Sequence, residues 1–147
     1  MTKLPVEQVN ALRLKKHHLS RKATKKELPK VVSDVCGIQA QVLSAAELGI
    51  RARVEGVSHQ DVREALWKSH SILKTWCMRG TLHLLASSDL PLYVAALRSK
   101  QPEFIRWLQK TAGVTPAEVS SITDGIRDAL SNRSLTREEL SREVAQR

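Results

Sequence analysis

The chain has 147 residues, 41% hydrophobic and 27% charged, which fits one globular domain or slightly more and excludes a membrane span, since no apolar run is long enough. Its formal net charge is +9, concentrated in residues 1–30, where nine Lys/Arg face only Glu7 and Glu27. Such an end suits a polyanion, nucleic acid first, the alternative being a solvated basic tail.

Aromatics make up 3% of the chain, so aliphatic side chains must fill the core. Cys36 and Cys77 are isolated, without C-x-x-C spacing, and His17, His18, His59, His70 and His83 add no ligand pattern. No metal site and no cofactor are therefore expected, and both thiols read as buried and reduced. The N-terminus lacks a signal-peptide core, which makes cytoplasmic location the default.

In chain order, Pro5 suits a first helical position, followed by Val6, Val9 and Leu12 at helical spacing and by Lys15, Lys16 and His17 at the C-terminal end. After a basic loop, Pro29 opens a second helix with Val32, Val35 and Cys36 on one face and Gly37 as its stop. Ser44-Ala-Ala-Glu47 has the capping-box pattern and predicts a helix to about Val54, closed by Gly56. Ser58-His-Gln-Asp61 starts the next, with Val62, Ala65 and Leu66 inward. A turn of about four residues joins this pair as a helix-turn-helix.

"SILKTWCMRGTLHLLAS" is dense in β-branched and apolar residues and is interrupted by Arg79-Gly80. It predicts a β-hairpin with strands near 72–77 and 81–86. Helix, turn, helix, hairpin is the order of a winged helix, with the hairpin as wing. Beyond Ser87 the pattern is helical: "SSDLPLYVAALRS", a segment from Pro102 to before Gly113, and two capping boxes at Thr115–Glu118 and Thr136–Glu139. Val119, Ile122, Ile126 and Leu130 follow the first box, Leu140 and Val144 the second. The expected fold class is mainly α with a small β-hairpin. Residues 1–87 form a winged helix, and 88–147 a helical connector and the start of a second, truncated one.

Gln39 and Gln41 lie in "GIQAQ", between the second helix and Ser44. In extended backbone Ile38, Ala40 and Val42 point inward together, and both amides point outward on one face. An amide donates and accepts hydrogen bonds but does not titrate near neutrality, so it is no ordinary general base. The pair can tie the loop to nearby backbone, orient a water, or read a base edge.

"VVSDVCGIQAQ" and "LKTWCMRGTLHLL" together resemble the YcaQ/AlkZ-like (HTH_42) family of bacterial tandem winged-helix proteins. The resemblance covers about residues 5–98, and its most specific part is the hairpin run Trp76 to Leu84. It implies a monofunctional DNA glycosylase acting on double-stranded DNA that carries alkylated or crosslinked bases. The family signature is Gln-Φ-Gln, or Gln-Φ-Asp in a sister branch; Gln39-Ala40-Gln41 matches the first and implies catalytic glutamines. A purine alkylated at N7 is cationic and leaves readily. Neutral dipoles that place a water and hold the deoxyribose then suffice. The resemblance also implies that the lesion is handled without full base flipping, and that complete members carry further winged helices over more than twice this length.

Lys15, Lys16, Arg21, Lys22, Lys25 and Lys26 are the expected phosphate contacts, without sequence preference. Arg79 at the wing tip either enters a groove or is a solvated turn residue. Trp76 and Leu82 read as core, and Asp34 as a helix-surface acid or an active-site carboxylate. His83 reads as a satisfied strand histidine, which the resemblance places near the DNA face. The mixed charge of "HQDVREALWK" suits a sequence-specific recognition helix poorly. The expected assembly is a nucleoid-associated monomer. The alternatives are a non-catalytic winged-helix DNA-binding protein and an interaction module.

Overall fold

The computed structural model describes residues 3–99 and 101–146; the outermost residues of the two expected domains, 1, 2 and 147, lie outside them. The chain divides into two compact units, Met1–Leu97 and Arg98–Arg147.

In the first unit, α1 spans Val6–Lys16, with Pro5 just before it as N-cap rather than at its first helical position. This helix buries no residue: Val6, Leu12 and Leu14 stay exposed. It ends at Lys16 with His17 as C-cap, and His18 beyond it turns through a left-handed φ of 56°. The Leu19 N–H donates to Leu14 O and the His18 N–H to Lys15 O, closing the last turn.

A 3₁₀ turn at Lys25–Glu27 leads into α2, Leu28–Asp34, whose buried face is Leu28, Val31 and Val32. Cys36 was expected on that face, and here the structure differs. The helix stops at Asp34 and Cys36 takes φ 57°, exposed to solvent. The Cys36 and Gly37 N–H groups donate to Ser33 O and Val32 O, at 2.8 and 2.9 Å, so Cys36 is the left-handed residue of the helix stop. Cys77 is buried, as read from sequence.

Helix α3, Leu43–Arg51, starts with Val42 as N-cap and without a side-chain cap, so the box expected at Ser44 does not form. Glu47 does not reach back to cap the helix. It is buried, and its carboxylate faces the Arg63 guanidinium of α4 at 3.6 Å. Helix α4, His59–Trp67, does carry the predicted box: the Ser58 hydroxyl accepts from the Asp61 N–H, and the Asp61 carboxylate accepts from the Ser58 N–H. The α3–α4 link is longer than expected, because Val54 leaves the helix to bridge Ala23. The Ala23 N–H donates to Arg53 O and the Glu55 N–H to Ala23 O, both at 2.8 Å. Replacing Ser58 with Ala removes the α4 cap and is expected to lower stability by about 1 kcal/mol, read from the denaturant midpoint.

The hairpin forms at the predicted place, with β2 at Ile72–Trp76 and β3 at Leu82–Ala86. Arg79 and Gly80 turn the chain, both with positive φ. A third strand, β1 (Ile38–Gln39), pairs with β3, giving an antiparallel sheet of order β1-β3-β2. Ile72 and Leu84 join Val31, Val32, Ile50 and Val62 in an aliphatic core, each fully buried. Trp76, expected in the core, is 63% exposed at the outer end of β2. Val42, expected inward with Ile38 and Ala40, is exposed as well. Helix α5, Leu90–Arg98, brings the Tyr93 hydroxyl within electrostatic reach of Cys36, Cys77 and Asp89; burial is the main cause that raises its pKa.

The second unit holds α6 (Gln101–Ala112), α7 (Pro116–Ala129) and α8 (Arg137–Ala145). Thr115 and Thr136 form both predicted capping boxes, with Glu118 and Glu139. Ile122 and Ile126 of α7 face Leu140 and Val144 of α8 across a shallow apolar groove. On α6, Phe104 and Trp107 stack at 5.8 Å between ring centroids and remain exposed. No helix among the described residues is long and apolar enough to cross a membrane.

Candidate functional site

The two glutamines sit where α2 hands the chain to the sheet. Gly37 makes that passage possible. Its φ is +88°, and a Cβ built there would lie 2.7 Å from Leu85 Cδ2 and 3.1 Å from Leu84 O. Only glycine meets both conditions without displacing β3. The strand it releases pairs Ile38 with Leu84 and Gln39 with His83.

The ladder fixes what each amide does. The Ala40 N–H donates to Leu82 O at 2.7 Å, so Ala40 and Leu82 are a hydrogen-bonded pair. The return bond does not go to the Ala40 carbonyl. Instead the Leu82 N–H donates to Gln41 Oε1 at 2.9 Å. The Gln41 side chain thereby closes the end of the β1–β3 ladder, and its –NH₂ group is left to point away from that bond. Gln39 and His83 form the next, non-hydrogen-bonded pair, the kind in which opposed side chains approach most closely. Thr75 of β2 lies opposite His83 on its other side, so Gln39, His83 and Thr75 make one row on one sheet face. Gln39 is exposed and no hydrogen bond among the described residues engages its amide.

His83 is 4% exposed. Its Nδ1 lies 3.0 Å from Thr81 O, and since a carbonyl only accepts, that nitrogen carries the proton. In the neutral ring Nε2 is then an acceptor. Arg79 stands exposed at the hairpin tip, in a left-handed conformation.

The basic residues divide into two groups. Lys15 and Lys16 line a cleft of about 520 Å³ together with Leu12, His18, Lys30 and Asp34. Within it, His18 Nε2 and Lys30 Nζ both donate to Asp34 Oδ2, at 2.8 and 2.5 Å. The Lys30 bond first, and then the His18 bond, hold the Asp34 carboxyl below its ordinary pKa. The other group is partly engaged: Lys22 Nζ donates to Arg51 O at 3.0 Å, and Lys25 Nζ to Asp61 at 2.9 Å. Lys25 and Lys26 border a second depression that also contains Asp61 and Glu64. Arg21 and Lys26 are exposed.

Residues 32–147 match the family model described as DNA glycosylase AlkZ-like. The chain belongs to the AlkZ-like DNA glycosylase family. An interstrand DNA cross-link repair glycosylase of Streptomyces sahachiroi is 35% identical over 137 residues, covering 90% of this chain and 35% of that protein. The solved structure of Streptomyces sahachiroi DNA glycosylase AlkZ is similar to this chain with a TM-score of 0.85 at 33% identity, over 99% of this chain and 39% of that one. The AlkZ-like chain thus spans well under half the length of these relatives, and its first unit is a winged helix.

Three contacts around the candidate site escaped sequence reading. The Leu82 N–H is a backbone group 41 residues from Gln41, and no pattern announces it. Asp34 was singled out as an acid, but its pairing with Lys30 was not, although an i,i+4 spacing on a helix brings opposite charges together. His18 joins them across 16 residues through a left-handed turn that its sequence context does not mark.

Proposed function

We propose that this chain is the catalytic part of a monofunctional DNA glycosylase that hydrolyses the N-glycosidic bond of N7-alkylated purines in duplex DNA, interstrand crosslinks included. The observation that carries this reading is the Gln39–Gln41 pair on a wing-supported strand in an AlkZ-like chain. In the reaction the C1′–N9 bond breaks and its electron pair neutralises the cationic base. A water oxygen bonds to C1′ and gives up a proton to solvent, leaving an abasic site. Because the leaving group needs no protonation, the chain has to supply position and oriented dipoles rather than an acid.

Gln39, with an uncommitted carbonyl, is the group that holds the attacking water. Gln41 has its oxygen on the Leu82 N–H and so holds a fixed orientation, presenting –NH₂ toward the deoxyribose or its phosphate. Lys15, Lys16, Arg21, Lys22, Lys25, Lys26 and Arg79 supply backbone contacts. His83, opposite Gln39 and 4% exposed, supports that row from within the sheet rather than touching DNA, as the satisfied strand histidine it was read to be.

Duplex DNA bearing 7-methylguanine, incubated with the intact protein, is expected to lose that base and to show strand breaks on heating in alkali. A protein that binds the duplex but releases no base is a DNA-binding winged helix instead.

A further inference from the structure

We infer that the cleft between the end of α1 and α2 is a seat for one DNA phosphodiester close to the base on which Gln39 acts, with Lys30 as the residue that completes it. The inference rests on the DNA-acting reading above and adds a site to it. Lys15, Lys16 and Lys30 bring three ammonium groups to a cleft of about 520 Å³ that holds one carboxylate, Asp34, so the cleft keeps a positive balance without counting His18.

Asp34 organises the seat. Its Oδ2 accepts from both His18 and Lys30, which ties the left-handed end of α1 to α2. Helix α1 buries no residue, and this contact anchors its basic end beside Lys30. An ammonium carries three N–H donors; Lys30 commits one to Asp34 and keeps two for a phosphate oxygen. Its side chain is 63% exposed, within reach of a backbone lying along the cleft.

Chain geometry limits how far this phosphate lies from the chemistry. Asp34 and Gln39 are separated by five residues, at most about 18 Å of extended chain. At 3.4 Å of duplex axis per phosphate on a strand, this backbone span corresponds to about five base pairs, to which the reach of the Lys30 and Gln39 side chains adds a few more. This short tether favours the DNA backbone over a free anion as the occupant. A phosphate held there fixes the register of the duplex relative to Gln39.

The test is a methylphosphonate scan, which removes one backbone charge at a time, on a 7-methylguanine duplex with the intact protein. One or two positions within the span of the lesion set by that tether should weaken binding by roughly 3- to 10-fold. Lys30→Gln should weaken binding to the unmodified duplex by a similar factor, and the methylphosphonate at that position should then cost nothing further. Lys30→Arg should restore the binding, and Lys110→Gln, in the second unit, should leave it unchanged. Additive losses in the scan, or a Lys30→Gln protein with parental affinity, would overturn the seat. Inorganic phosphate that displaces DNA at constant ionic strength, while Lys30→Gln leaves duplex affinity unchanged, would identify a free-anion site and overturn it too. Lys30-dependent binding without base release leaves the seat standing and removes the glycosylase chemistry, so the two failures are distinct.

Discussion

Gln39→Ala is expected to slow single-turnover release of 7-methylguanine by roughly 10- to 1000-fold, about 1.4–4 kcal/mol of barrier, while the protein melts and binds undamaged DNA as before. The basis is its position. The Gln39 amide is exposed, carries no internal bond, and is no phosphate contact, so its loss removes transition-state positioning and little else. Gln41→Ala should give a rate loss of the same order together with a lower denaturant midpoint, because the Leu82 N–H loses its acceptor. Gln41→Asp should keep part of the activity, since a carboxylate retains an acceptor and favours positive charge nearby. If Gln39→Ala folds, binds and excises at the parental rate, the catalytic reading of the loop fails. If both alanine variants melt early, the glutamines are ties between loop and sheet.

Gly37→Ala is the second substitution with a large expected effect. A side chain at φ +88° is strained by about 1–2 kcal/mol, and the new Cβ meets Leu85 Cδ2 at 2.7 Å. Leu85 is buried and Leu84 O is backbone, so the displacement passes into β3 rather than into solvent. The expected loss of stability is roughly 2–4 kcal/mol in total. The excision rate should fall further than the folded fraction alone accounts for, because β3 carries both partners of the glutamines, Leu82 and His83. Rates corrected for the folded fraction, measured beside Gly113→Ala, separate the effects. Gly113 also has positive φ but open space around it, so it reports backbone strain without the clash.

What sequence reading captured was local. The boxes at Ser58, Thr115 and Thr136 involve groups three residues apart, and the hairpin is a pairing of neighbours. What it missed was decided at a distance. Ser44 has the same local pattern as Ser58, but α3 already starts at Leu43 with Val42 as N-cap, so Ser44 lies inside the helix and cannot cap it, and Glu47 turns to Arg63 instead. The extended backbone after Gly37 was read, but its pairing was not: β1 has two residues and is a strand because β3, more than 40 residues on, offers an edge. The glutamines were singled out by their motif, yet their inequality came only from the Leu82 bond. Cys36 shows the limit of periodicity: the apolar spacing continued past Asp34 while the backbone turned left-handed.

The aliphatic core has a spectroscopic consequence. Trp67, Trp76 and Trp107 are all more than half exposed, at 65%, 63% and 57%. The indole emission of the folded chain is therefore that of water-facing rings, and it should change little when the Val, Ile and Leu core comes apart. Fluorescence will underreport unfolding, and far-ultraviolet circular dichroism is the appropriate probe for the stability measurements above. If the proposed DNA-acting reading holds and the wing meets the duplex, the same exposure makes Trp76, at the wing end of β2, a ring that DNA would screen from a soluble quencher. Emission that is nearly silent to folding is then free to report docking, and replacing Trp67 and Trp107 with Phe would leave the wing as its only source.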